Sequence, residues 1–114
     1  MTASKQKGTA AETAVVKYLN ELGYTAERRA MGGMFDKGDI VVKELPGVVF
    51  EVKAVKRIEL AQFQNELRAE MLNAGADFGV LIVKRSGKSN PGEWYWFVQS
   101  PVALLNAVGV VHHA

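Results

Sequence analysis

Gly38-Asp39-Ile40-Val41-Val42-Lys43-Glu44-Leu45-Pro46-Gly47-Val48-Val49-Phe50-Glu51-Val52-Lys53 reads as two β-strands joined by a tight reversal. Asp39 to Val42 and Val48 to Ala54 are rich in β-branched residues, and the Pro46-Gly47 pair between them favours a turn. Side chains two apart on a strand share a face, so Glu51 and Lys53 are expected on one side and Phe50 and Val52 on the other, in the core. Directly opposed side chains of a hairpin lie about 5 Å apart, which lets Asp39, at the start of the first strand, come beside Glu51.

Outward from this hairpin the pattern alternates between helix and strand. Upstream, Ala11, Ala14, Val15, Tyr18, Leu19 and Leu22 recur at three-four spacing, predicting a helix over Thr9 to Leu22 that Gly23 stops. A short strand is expected over Tyr24 to Arg29, then a glycine-punctuated connection over Met31 to Gly38. Downstream, helix formers fill Leu60 to Ala74 up to Gly75. The apolar run Phe78 to Val83 has the length of a central strand covered on both faces. A polar loop over Arg85 to Gly92 leads to an aromatic strand over Glu93 to Gln99. Ser100-Pro101 then has the form of a helix N-cap and first position, opening a last short helix through Leu105. The order predicts one α/β domain, a mixed central sheet of about five strands flanked by helices, with residues 1–8 as a basic arm and 109–114 as a tail.

Composition narrows the function. With 114 residues there is room for one core, and the absence of cysteine excludes disulfide scaffolds, thiolate zinc sites and cysteine nucleophiles. No run approaches the roughly 18 apolar residues of a membrane span and no export signal is read, so the expectation is a cytoplasmic protein without a membrane partner. A net charge of +2 does not announce nucleic acid, but the basic residues are grouped. Lys5 with Lys7, Arg28 with Arg29, Lys53 with Lys56 and Arg57, and Lys84 with Arg85 and Lys88 fall on loops and ends, where together they could track phosphates. Glu59, Glu66, Glu70 and Asp77 lie mostly on and after the second helix, away from these loops. Any one basic group equally fits a solvated face. Trp94, Tyr95 and Trp96 suit base stacking, core or a dimer surface. His112 and His113 are read as tail.

Two carboxylates that converge repel one another unless a cation neutralises them, and oxygen donors suit Mg²⁺. An adjacent lysine can offset negative charge building on a phosphate. Asp39, Glu51 and Lys53 thus form a phosphodiester-cleaving constellation, the alternative being a solvent-facing Glu and Lys beside a turn aspartate. Asp36 is a second-ranked rival to Asp39.

These residues resemble the PD-(D/E)XK nuclease superfamily, and within it the Holliday junction resolvases of the archaeal type and their phage-borne relatives. Lys7-Gly8 ahead of Glu12 on the first helix, Arg28 and Arg29 on the first strand, Asp39-Ile40, and Glu51-Val52-Lys53 match in order, over about residues 5 to 85. The resemblance implies a restriction-endonuclease-like fold and an endodeoxyribonuclease that uses Mg²⁺, with Mn²⁺ as a substitute. It also implies that Asp39, Glu51 and the Val52 carbonyl hold metal, that Lys53 is catalytic, and that Glu12 is a further acidic member. A first-turn acid favoured by the helix dipole is the other reading of Glu12. Gly38 departs from the pattern, standing where many members have proline. A glutamine on the helix after the lysine strand is matched by Gln62, with Gln64 as the alternative. One chain holds one site, so cutting a four-way junction symmetrically calls for a twofold homodimer. A nicking or repair nuclease on flaps or duplex, and a non-catalytic nucleic-acid-binding protein, remain the alternative functions.

Overall fold

The computed structural model describes residues 3–29 and 38–109, with side chains from residue 6 onward. The expected connection over Met31 to Lys37, Asp36 within it, and His112 and His113 lie outside the described residues. Among the described residues the elements are α1 (Ala3–Glu21), β1 (Ala26–Arg28), β2 (Ile40–Val42), β3 (Val48–Lys53), α2 (Leu60–Ala74), β4 (Phe78–Val83), β5 (Tyr95–Val98) and α3 (Pro101–Val108). The five strands lie in that order in one sheet. All neighbours are antiparallel except β3 and β4, which run parallel, so the sheet is mixed. Joining parallel strands requires a crossover, and α2 supplies it.

The alternation along β3 assigns the two faces. Phe50 and Val52 pack with Ala11, Val15 and Leu19 of α1, together with Ile40, Val42, Ile82 and Trp94. Val49 turns the other way, onto Phe63, Leu67 and Met71 of α2, with Leu81 and Val83. Both faces of the sheet are therefore covered, and burying each large aliphatic side chain contributes about 1.5–3 kcal/mol. Glu51 and Lys53 share the α2 face with Val49.

Several boundaries differ from expectation. α1 begins at Ala3, six residues before Thr9, so residues 3–8 of the expected basic arm are helical. The aromatic strand begins at Tyr95, because Pro91–Glu93 form a 3-10 turn capped by the Asn90 side chain. Trp94, ahead of the strand, is a core residue whose Nε1 donates to the Lys88 carbonyl at 2.8 Å. The Ser100 cap holds as expected, its Oγ accepting from the Ala103 N–H at 3.2 Å, but α3 runs on to Val108.

The approach of α2 to β4 is close enough to require glycine. A Cβ on Gly79 would sit 2.6 Å from Met71 Sδ and 3.0 Å from Leu67 Cγ. Gly79→Ala is expected to overpack this approach and lower stability by about 1–3 kcal/mol. Urea unfolding measures it as a lower midpoint at unchanged slope.

Candidate active site and nucleic-acid interface

The register of the β2–β3 pair sets Ile40 opposite Phe50. Just ahead of β2, the Asp39 N–H donates to the Phe50 carbonyl at 2.9 Å, while the Asp39 Oδ2 accepts from the Val52 N–H at 2.8 Å. Asp39 is thus bonded to the residues on both sides of Glu51, its carboxylate standing where a strand would offer a backbone acceptor. Gly38 makes this entry possible. Its φ of +99° is closed to proline, which is held near −65°, and favours glycine.

Glu51 is 5% exposed, so it does not face solvent on a half-exposed strand. Stripping a carboxylate of water costs several kcal/mol unless a cation stands beside it. Lys53 provides one, its Nζ 3.4 Å from Glu51 Oε1. The same ammonium lies 2.6 Å from Glu66 Oε2 and 5.1 Å from the centre of the Phe63 ring. Burial is the largest single influence on Lys53 and pulls its pKa down. The hydrogen bond to Glu66 and the charges of Glu51 and Glu66 together outweigh it and leave the pKa above the ordinary lysine value. The hydrogen bond from Lys53 is in turn the main cause holding the Glu66 carboxyl below its ordinary value, with a smaller contribution from Gln62. Lys53 is therefore a cation at neutral pH, fit to offset charge rather than to accept a proton.

The sequence alone sets Glu66 among acids lying away from the basic loops, and its place beside Lys53 corrects that expectation. Helical spacing carries the signal: with Phe63 and Leu67 on the buried face, Glu66 falls at its margin, one turn after Gln62. Gln62 Nε2 donates to Glu66 Oε1 at 3.1 Å, which ties it to the site. Gln64 is turned elsewhere, donating to the Gln99 carbonyl at 2.6 Å.

Glu12 is not brought to Glu51. Arg28 Nε donates to its Oε1 at 3.0 Å, and α1 packs on the opposite face of the sheet from Glu51. Among the described residues no three His, Cys, Asp or Glu side chains are grouped so as to hold a metal ion. Two carboxylates and a carbonyl remain as expected donors: Asp39, Glu51 and Val52. This all-oxygen set, with one carboxylate buried, fits a hard divalent cation that completes its shell with water and phosphate.

The basic residues are only partly gathered. Lys7 from α1, Lys56 after β3 and Lys84 after β4 line one cleft of about 350 Å³ with Ala54, Ser86 and Gly87. This cleft opens where the parallel pair ends, the Lys84 N–H donating to the Lys53 carbonyl at 2.8 Å, and the carboxyl ends of parallel strands are where α/β sheets bind ligands. Three of the other cations are engaged locally. Arg57 pairs with Glu59 at 3.5 Å, Lys88 with Glu93 at 3.9 Å, and Arg85 lies 6.0 Å from the Tyr95 ring. Arg29 has its Nε buried with no hydrogen-bond partner among the described residues. The Lys5 side chain lies outside them.

No protein-family model and no curated protein matches this sequence. Among solved structures, the chain is similar to Hjc of Archaeoglobus fulgidus, a Holliday junction resolvase from an archaeal hyperthermophile. The TM-score is 0.59 at 24% identity, over 81% of this chain and 77% of that one. The fold of this chain is accordingly the restriction-endonuclease-like α/β fold, a five-stranded mixed sheet between helices.

Proposed function

We propose that this protein is a metal-dependent endodeoxyribonuclease acting on branched DNA, with a four-way junction as its substrate. The observation that carries the reading is Lys53 against the buried Glu51, with Asp39 bonded on either side of that glutamate and a lysine-lined cleft beginning at the next residue. The similarity of fold to an archaeal junction resolvase supports the substrate class.

Asp39, Glu51 and the Val52 carbonyl would hold Mg²⁺ or Mn²⁺. When bound, the cation supplies Lewis acidity to a phosphate oxygen and offsets the two carboxylates. Lys7, Lys56 and Lys84 draw the sugar-phosphate backbone along the cleft and set its register without reading sequence. Lys53 places its ammonium where negative charge grows as water attacks phosphorus. The water oxygen forms the new P–O bond, one ester P–O bond breaks, and the water's proton leaves with the departing alkoxide. Strand cleavage on both sides of a junction calls for two sites, hence a homodimer. The edge strand β5 and α3 offer an apolar surface for it, with Trp96, Phe97, Leu104 and Leu105 exposed. No helix among the described residues is long and apolar enough to cross a membrane. The cytoplasm, where DNA substrate is at hand, is the proposed place of action.

Phosphate binding alone would serve any DNA, so competition decides the substrate. An excess of linear duplex of equal length is expected to leave binding to a labelled four-way junction largely intact; equal competition would favour a nuclease of flaps or duplex. Lys56→Ala with Lys84→Ala is expected to weaken binding to both DNAs. The slope of log affinity against log salt should fall by about 2, close to one for each phosphate no longer neutralised.

A further inference from the structure

We propose that Glu66 is the positioning residue for Lys53, an anchor for its ammonium that does not depend on Glu51. The inference rests on the reading of Lys53 as the catalytic cation. Lysine carries its charge on a flexible four-carbon stem, and an ammonium tethered to Glu51 alone would follow that carboxylate whenever it turned to another cation. Glu66 reaches Lys53 from a different element, at 2.6 Å against 3.4 Å for Glu51, so the shorter ion pair is made by the residue not assigned to metal.

The anchor is itself braced. Gln62 Nε2 donates to Oε1 of Glu66 while Oε2 takes the Lys53 ammonium, so the carboxylate spans the two with one oxygen each. The Phe63 ring lies against the same ammonium, 5.1 Å from its centre. All three residues belong to the first two turns of α2, which Phe63, Leu67 and Met71 fix against the sheet. Position thus passes from the packed helix through Gln62 and Glu66 to the end of β3.

The test is single-turnover cleavage of a labelled four-way junction by the full chain in Mg²⁺. Glu66→Ala is expected to lower the cleavage rate constant about 10- to 100-fold, the effect of roughly an ångström of misplacement. The junction Kd measured without divalent cation should stay unchanged, and Glu66→Gln, which keeps an acceptor, should recover part of the rate. In a Lys53→Met background Glu66→Ala should have no further effect, because the two act as one unit. An unslowed or faster Glu66→Ala beside a slowed Lys53→Met, or multiplying effects in the double variant, overturns the positioning role alone. A wild-type chain that does not cleave, or a Lys53→Met variant that cleaves at full rate, overturns the proposed function and this anchor with it.

Discussion

Replacing Lys53 with methionine is expected to slow junction cleavage by about 10²- to 10³-fold, the usual effect of removing one group aimed at developing charge. Methionine keeps much of the stem's packing over Phe63 while deleting the ammonium. Junction affinity should change little, because the lysines of the cleft remain. The substitution also removes the cation beside the buried Glu51 carboxylate, which is expected to lower stability. Thermal melts must therefore accompany the kinetics, at a temperature where the variant is folded. Divalent cation is expected to raise the melting temperature of the variant more than that of the wild type, since it restores a positive charge beside Glu51. A full cleavage rate in a folded variant would remove Lys53 from the mechanism.

Among the glycines of the described residues whose surroundings are known, Gly38→Ala is expected to have the largest effect. At φ +99° a side chain is strained by about 1–2 kcal/mol. The new Cβ would also stand 2.8 Å from Val49 Cγ1 and 3.0 Å from the Phe50 carbonyl oxygen, adding about 1–3 kcal/mol of overpacking. Together these come to about 2–5 kcal/mol, from under half to all of the stability of an ordinary domain at its lower end. Because Gly38 delivers Asp39 to its bond with Val52, the variant should lose metal-dependent activity even where it remains folded. Urea unfolding and metal titration by calorimetry separate the two losses. A midpoint unchanged from wild type would show that the entry into β2 tolerates a side chain.

Much of this arrangement is legible in the chain because it rests on local pattern. The alternation of Val48 to Lys53 predicts which residues share a face, and the Pro46-Gly47 reversal predicts the register that brings Asp39 to Glu51. Ser100 and Gly75 mark helix ends by local chemistry that tertiary packing does not override. What local pattern does not carry is which face a neighbouring element covers. Glu12 has helical spacing that suits a reach toward the sheet, but α1 lies over Phe50 and Val52, on the side away from Glu51. In sequence Glu66 is one of several acids on a solvated helix, and only the packing of α2 through Phe63 and Leu67 turns it to Lys53. The convergence of Lys7, Lys56 and Lys84 likewise depends on three distant segments meeting at one end of the sheet. Nor does apolar periodicity mark the start of α1, since Ser4, Lys5, Gln6 and Lys7 extend the helix without an apolar residue among them.

At the centre stands the claim that Asp39, Glu51 and Lys53 make a cation-dependent phosphodiester-cleaving site. Incubating the full chain with an end-labelled four-way junction, with Mg²⁺ or with chelator, tests it most directly. Paired nicks in opposing strands are predicted in Mg²⁺, with no cleavage in chelator and none by Asp39→Ala. Intact junctions with the wild type in Mg²⁺, or undiminished cleavage by Asp39→Ala, would contradict it.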